Sequence, residues 1–154
     1  MNVATPTIYV IDTCSLVAIT DNHPKHEAHI CRGLEALINA GRLKSVPQVL
    51  EELKKDSHTR VFILKHKHQL IVPDAELFPY VGTIAKQFIS LIGIHTAKDK
   101  ADPWLLALAQ QLDAPLVSEE KKIHNACRVL GLTPLRLARL LAVENLLPVG
   151  PDHS

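Results

Sequence analysis

Aromatic residues are scarce: one Trp, two Tyr and three Phe occur in 154 residues. Proteins that hold single strands by stacking bases on ring platforms need more of them, so RNP-type and OB-type readers are disfavoured. Excess charge of one sign is also missing, since 17 Lys and Arg stand against 16 Asp and Glu. A uniformly basic phosphate-binding surface is thereby excluded, and any nucleic-acid contact must be local. Cys14, Cys31 and Cys127 form an odd set without C-x-x-C spacing, which offers neither a disulfide framework nor a zinc ribbon. The six glycines build no Gly-rich phosphate loop of the Rossmann or P-loop kind. No apolar run approaches the roughly 20 residues of a membrane helix, and no positive charge precedes the short apolar run of MNVATPTIYVID, so a cytoplasmic protein without membrane association is expected.

What is present is an aliphatic chain, 47% hydrophobic, of a length that suits one domain. The pattern gives a single domain over residues 1–149 and a mobile tail over 150–154. Thr7–Ile11 (TIYVI) is a β-branched run that reads as a buried strand stopped at Asp12. Apolar residues Ile30, Leu34, Leu37 and Ile38 recur at helical spacing between His26 and Ala40, before Gly41. Pro47 opens a second amphipathic segment, Gln48–Lys55, and further helices are expected over His58–Gln69 and Glu76–Ile94, with a brief LIVP strand between them. Asp102-Pro103 reads as an N-cap and first-turn proline ahead of WLLALAQQL. A strand over Ala114–Ser118 and helices over Lys122–Leu130 and Leu135–Leu147 complete the chain. Continuously apolar strands separated by helices indicate an α/β fold whose parallel sheet is covered on both faces.

In such a sheet every strand ends on one edge, and ligands bind outside it where the strand order reverses. Acids stand there twice. Asp12 ends the first strand and Glu119-Glu120 end the strand near residue 117. The helix that begins at Asp102 leads into this second strand, so Asp102, and Asp99 before it, approach the same crevice. Glu51 or Glu52 can join from the Pro47 segment. Several carboxylates in one crevice require raised pKa values or bound cations. An oxygen-only donor set suits Mg²⁺ or Mn²⁺ better than zinc, and such ions support in-line phosphodiester hydrolysis.

These residues resemble the PIN-domain family, and within it a subfamily related to VapC-type toxin ribonucleases. The matching stretches are YVIDTCSL with Asp12, VPQVLEEL with Glu52, DKADPWLLALA with Asp102, and PLVSEE with Glu120. They occur in the family's order along nearly the whole chain. The resemblance implies a three-layer α/β/α sandwich with a central parallel sheet. It also implies that Asp12, Glu52, Asp102 and Glu120 hold one or two Mg²⁺ or Mn²⁺ ions and that RNA is cut to leave a 3′-hydroxyl and a 5′-phosphate. Glu52 is favoured over Glu51 because the family's acid directly precedes a Leu, here Leu53. Ser118 stands where the family carries Thr or Ser, which implies that it orients the attacking water; Thr13 and Ser15 are weaker members of the same supporting set. A protein antitoxin over the acidic crevice and a homodimer follow from the same resemblance. Glu120 departs from the pattern, since the wider family more often has Asp there.

Plainer readings compete at each position. Asp102 alone is a helix cap, Asp12 alone a turn, and Glu51-Glu52 and Glu119-Glu120 alone solvated faces. Asp99 reads more simply as a loop residue than as a fifth ligand. His23, His26 and His29 have helical spacing but no carboxylate or cysteine partner, and Pro24 disturbs the turn. Lys65–His68 (KHKH), with Lys54, Lys55 and Arg60, is either a phosphate-facing patch or, more simply, a solvated face. Cys31 and Cys127 fall in apolar helical patterns, as small core residues do. From another functional class, the chain could be a catalytically inactive PIN-like scaffold that binds RNA or protein. A haloacid-dehalogenase-type phosphatase needs a second Asp where Cys14 stands, and a receiver-like phosphoacceptor needs an acidic pair that is lacking.

Overall fold

The computed structural model of the chain describes residues 6–53, 57–92 and 101–147. Strand β1 (Tyr9–Ile11) is buried at all three positions, as a strand covered on both faces must be. Helices α1 (Thr13–Asn22) and α2 (Glu27–Asn39) lead to strand β2 (Leu43–Lys44). A 3₁₀ segment, Pro47–Glu52, then precedes helices α3 (His58–Lys65) and α4 (Lys67–Leu70), a 3₁₀ turn Asp74–Glu76 and helix α5 (Phe78–Ile92). The remainder comprises α6 (Asp102–Leu112), β3 (Leu116–Val117), α7 (Lys121–Leu130), β4 (Pro134–Leu135) and α8 (Leu137–Val143).

All four strands are parallel, in the order β2-β1-β3-β4. Tyr9 pairs with Leu43, Ile11 with Val117, and Val117 with Leu135. Thr133 and Leu135 offer their carbonyls to β3, so Pro134 between them faces the open edge, where its missing N–H is not needed. Crossovers of the usual right hand put α1 and α2 on one face of the sheet. The return to β3 runs the opposite way, so α6 packs on β1 and β3 from the other face, joined there by α5 and α7. With α3 and α4 packed on α1 and α2, the result is a three-layer α/β/α sandwich. Its core is aliphatic: Val10, Ile11, Leu116 and Val117 in the sheet, Ile30 and Leu34 on α2, and Leu105 and Leu106 on α6.

The segment after α8 returns to α2, where a Cβ on Gly33 would fall 2.5 Å from Leu146 Cδ2, so a larger residue there would have to move the Leu146 side chain. Glu144 fastens this segment to the sheet by accepting from the Tyr9 hydroxyl at 2.6 Å and from Arg42 at 2.9 Å. Among the described residues, no helix is long and apolar enough to cross a membrane.

Several local expectations change. The first strand is shorter than Thr7–Ile11, and the expected Ala114–Ser118 strand is reduced to Leu116–Val117. The LIVP strand contracts to a single bridge between Ser45 and Ile71. Pro79 and Gly82 do not interrupt α5, because Pro79 lies in its first turn, where no intrahelical donor is required. The last helix begins at Leu137 because Leu135 is taken into β4. Residues 93–94 of the expected fifth helix, Lys54 and Lys55 of the basic patch, and the tail over 150–154 lie outside the described residues.

Candidate metal centre

The strand order reverses between β1 and β3: from β1 the chain moves out to β2, then returns to the other side of β1. A crevice opens at the carboxyl ends of such a strand pair. Asp12 follows β1 directly, and its N–H donates to the Val117 carbonyl at 2.9 Å, which extends the sheet by one residue. Its side chain makes no cap bond to α1. Oδ2 instead accepts from the Ser118 hydroxyl at 3.0 Å and the Cys14 thiol at 3.2 Å, while Oδ1 faces the Thr13 hydroxyl at 3.3 Å.

The other acids arrive from three separate elements. Glu52 is the last residue of the 3₁₀ segment and meets the Thr13 hydroxyl at 3.2 Å. The tighter winding there turns Glu51 outward as an exposed residue lining the cleft. Glu120 caps the start of α7, and its N–H donates to Ser118 Oγ at 3.1 Å. Its carboxylate gathers with Asp12 and Cys14, their donor atoms all lying within 4.8 Å of one another. Asp102 is the first residue of α6 rather than its cap: Ala101 occupies the cap position, with no side-chain bond. The capping reading of Asp102 is therefore corrected. Its carboxylate is spared from the helix end, lies 2% exposed, and has an Oδ2 atom without a hydrogen bond. Lys122 stands between two of these acids, 3.6 Å from Asp102 Oδ2 and 3.5 Å from Glu120 Oε2.

Ser118, the residue expected to orient water, lies at the centre of the cluster. It is fully buried, its hydroxyl donates to Asp12, and its oxygen accepts from the Glu120 N–H. It therefore fixes two acids relative to each other. His124 Nε2 lies 2.6 Å from the Ser118 carbonyl and braces the same turn from α7. Of the weaker supporting candidates, Thr13 bridges Asp12 and Glu52, whereas Ser15 Oγ is buried without a hydrogen-bond partner. Glu119 turns towards Arg136 at 3.9 Å instead of joining the cluster. Asp99 lies outside the described residues.

Electrostatics record the crowding. Burial, then the charge of Asp12, raises Glu52 to about 7. Burial, then Asp12 and Glu120, raises Asp102 to about 9, with Lys122 pulling the other way. The Cys14 thiol is pushed up to about 12, by burial first and then by Asp12. Cys14 is thus a neutral hydrogen-bond donor to Asp12 in this setting. Sequence reasoning passed over Cys14 as a site residue and Lys122 altogether. For Lys122 a signal existed: a cation in the first turn of a helix opposes the helix dipole.

The residues fit a hard divalent cation. Ligand atoms of Asp12, Cys14 and Glu120 lie within 4.8 Å of one another, and Glu52 and the buried Asp102, one oxygen of which makes no hydrogen bond, are near enough to feel their charge. Protons held by Asp102 and Glu52 mark the charge a cation would replace. An open cleft of 670 Å³ lined by Thr13, Cys14, Glu51, Glu52 and Glu120 gives access. No comparable group of metal-ligating side chains forms elsewhere among the described residues, the histidines included. Lys65 and His66 of the KHKH stretch lie near Glu35 on α2, at 4.0 and 3.8 Å, rather than at the cleft.

Fold and site together define a parallel α/β sandwich with a carboxylate cluster at the switch point of its sheet. By sequence the chain belongs to the DUF4411 family, described as a domain of unknown function, which matches residues 9–146. No curated protein matches it.

Proposed function

We propose that the chain is a Mg²⁺- or Mn²⁺-dependent endoribonuclease of the PIN type that hydrolyses RNA phosphodiester bonds. The observation that carries this reading is that Asp12, Glu52, Asp102 and Glu120, far apart in sequence, lie near enough to perturb one another's charge, with Asp102 buried at 2% exposure and its Oδ2 without a hydrogen bond. These four carboxylates would hold the cation. When bound, such an ion lowers the pKa of a water and stabilises the negative charge that develops in phosphodiester displacement.

The chain's own residues prepare for that chemistry. Ser118 and Cys14 donate to Asp12 Oδ2 and fix its orientation, and Thr13 sets the spacing between Asp12 and Glu52. Glu52 and Asp102 hold protons near neutral pH, which they release as a cation enters. The open cleft admits an extended substrate from the side of Glu51 and Val17. The motif order along the chain supports RNA as the substrate, the part of a toxin in a toxin–antitoxin pair, a protein antitoxin as its partner and a homodimer as its assembly.

The test is cleavage of RNA by purified protein with Mg²⁺ or Mn²⁺, comparing wild type with Asp12→Asn. Cation-dependent cleavage that the substitution abolishes is expected; equal cleavage by both proteins refutes the assignment. A protein that neither cuts RNA nor gains thermal stability from divalent cations would be the non-catalytic scaffold.

A further inference from the structure

We infer that the Cys14 sulfur is a ligand of the same centre, completing a set of Asp12, Cys14 and Glu120 that binds a thiophilic divalent ion such as Zn²⁺ in preference to Mg²⁺. The inference rests on the cation-binding reading above and deepens it, because the carboxylates expected from sequence offer oxygen alone.

Cys14 lies in the first turn of α1, just beyond Asp12. Its Sγ is 3.2 Å from Asp12 Oδ2 and 3.4 Å from Ser118 Oγ, and the Glu119 N–H donates to it at 3.3 Å. The sulfur therefore faces the polar groups of the crevice, unlike that of Cys127, which is buried in the apolar core. Ligand atoms of Asp12, Cys14 and Glu120 all lie within 4.8 Å of one another. Zinc bonds of about 2.3 Å to sulfur and about 2.0–2.2 Å to oxygen let two donors stand up to about 4.5 Å apart, so the cluster has nearly the size such an ion needs. Asp102 points independently to a cation in this place. It is 2% exposed, and its Oδ2 takes no hydrogen bond among the described residues, the Lys122 ammonium standing at 3.6 Å. The charges of Asp12 and Glu120 both reach it.

Sulfur decides which ion is held. Mg²⁺ takes hard oxygen ligands and keeps several waters, whereas thiolate selects Zn²⁺ and its neighbours, which also stand above Mn²⁺ in divalent affinity. Three protein ligands leave one position of a tetrahedral ion open, and Cys14 and Glu120 both line the cleft from which it would be filled. On binding, the Cys14 S–H bond that otherwise points to Asp12 breaks, its proton passes to water, and a metal–sulfur bond forms without transfer of an electron. Zn²⁺ and Mg²⁺ thus compete for Asp12 and Glu120, and Cys14 tips the competition.

Titration of the purified protein with Co²⁺, a spectroscopic stand-in for Zn²⁺, tests this through the near-ultraviolet charge-transfer band that cobalt–thiolate bonding gives. The band should saturate at a single ion per chain and be lost in Cys14→Ser. It should be retained when Cys31→Ser and Cys127→Ala together leave Cys14 as the sole thiol, a variant that decides the matter even if Cys14→Ser fails to fold. Stoichiometric Zn²⁺ should bleach the band, and excess Mg²⁺ should not. Thermal melting of the same samples separates the two readings. If Mg²⁺ or Mn²⁺ raises the melting temperature of wild type while Co²⁺ gives no band, the sulfur ligand is refuted and the cation site stands. If no cation changes melting temperature or spectrum, both are refuted. A band that persists in Cys14→Ser, or bleaching by Mg²⁺ as readily as by Zn²⁺, also overturns the inference.

Discussion

Replacing Asp102 by Asn should stabilise the cation-free protein and abolish its response to cations. Burial and the charges of Asp12 and Glu120 raise the Asp102 carboxyl from 3.8 to about 9. At neutral pH the folded chain therefore holds a proton that the unfolded chain has released. Each pKa unit corresponds to about 1.4 kcal/mol, so the interval from the unfolded value up to pH 7 amounts to about 4 kcal/mol against folding. Asn has nearly the same shape and no charge to suppress, which removes this term. Its amide must still find partners in a buried place, and an imperfectly paired amide costs about 1–3 kcal/mol. A net gain of about 1–3 kcal/mol remains, or a melting temperature higher by roughly 2–10 °C for a domain of this size. The assay is thermal unfolding by circular dichroism at pH 7, with chelator and then with saturating Mg²⁺ or Mn²⁺. Wild type should be raised by the cation and Asp102→Asn should not. A variant that is destabilised without cations yet keeps the wild-type cation response would refute the reasoning, because Asp102 would then be a structural carboxylate.

The same groups set a pH dependence. The folded-state values of Glu52 and Asp102 lie above their unfolded values, at about 7 against 4.5 and about 9 against 3.8. The folded state thus binds more protons across that interval, and stability must fall as pH rises. Denaturant midpoints in chelator should decline from about pH 5 to about pH 9, and divalent cations should flatten the decline; a midpoint that rises over this window contradicts the crowding described for the site. Away from the acids, in α2, Gly33→Ala moves the Leu146 side chain, since the new Cβ would lie 2.5 Å from Leu146 Cδ2. A loss of about 1–3 kcal/mol in unfolding free energy is expected, with the cation-induced increment unchanged.

The legible parts of the site were those that punctuate apolar runs. Asp12 stops TIYVI and Glu119-Glu120 stop APLVS, so both strand ends declared themselves. The helix from Asp102 was legible for the same reason, although its cap was misplaced by one residue: an Asp-Pro pair looks alike whether Asp caps the helix or begins it. Helix α1 escaped notice because TCSLVAITDN has no clear apolar stripe and carries β-branched residues that suit strands equally well. Strands β2 and β4 have two residues each, too few for any period to show. The choice between Glu51 and Glu52 depended on the winding of Pro47–Glu52, which is 3₁₀ where a regular amphipathic segment was expected. Cys14 and Lys122 were invisible as site members because their partners are distant in sequence. Only the pairing of β1 with β3 brings Cys14 to Ser118, and only the approach of α6 to α7 brings Lys122 to Asp102.

Sheet register governs how the cluster divides its burden. Ile11 pairs with Val117, so the next residues, Asp12 and Ser118, stand opposite each other, and the buried hydroxyl meets the buried carboxylate at 3.0 Å. A slip of one residue would turn Asp12 to the other face of the sheet and break this contact. With register fixed, Asp12 gathers donors from Ser118, Cys14 and Thr13, while Asp102 Oδ2 takes no hydrogen bond among the described residues and faces the Lys122 ammonium at 3.6 Å. That asymmetry decides what the site can do. Were every acid supplied with donors, a cation would have to break hydrogen bonds at each ligand and would gain little. Were none supplied, mutual repulsion would open the crevice. One anchored acid orients the set, and Asp102, whose Oδ2 takes no hydrogen bond, is left to meet positive charge.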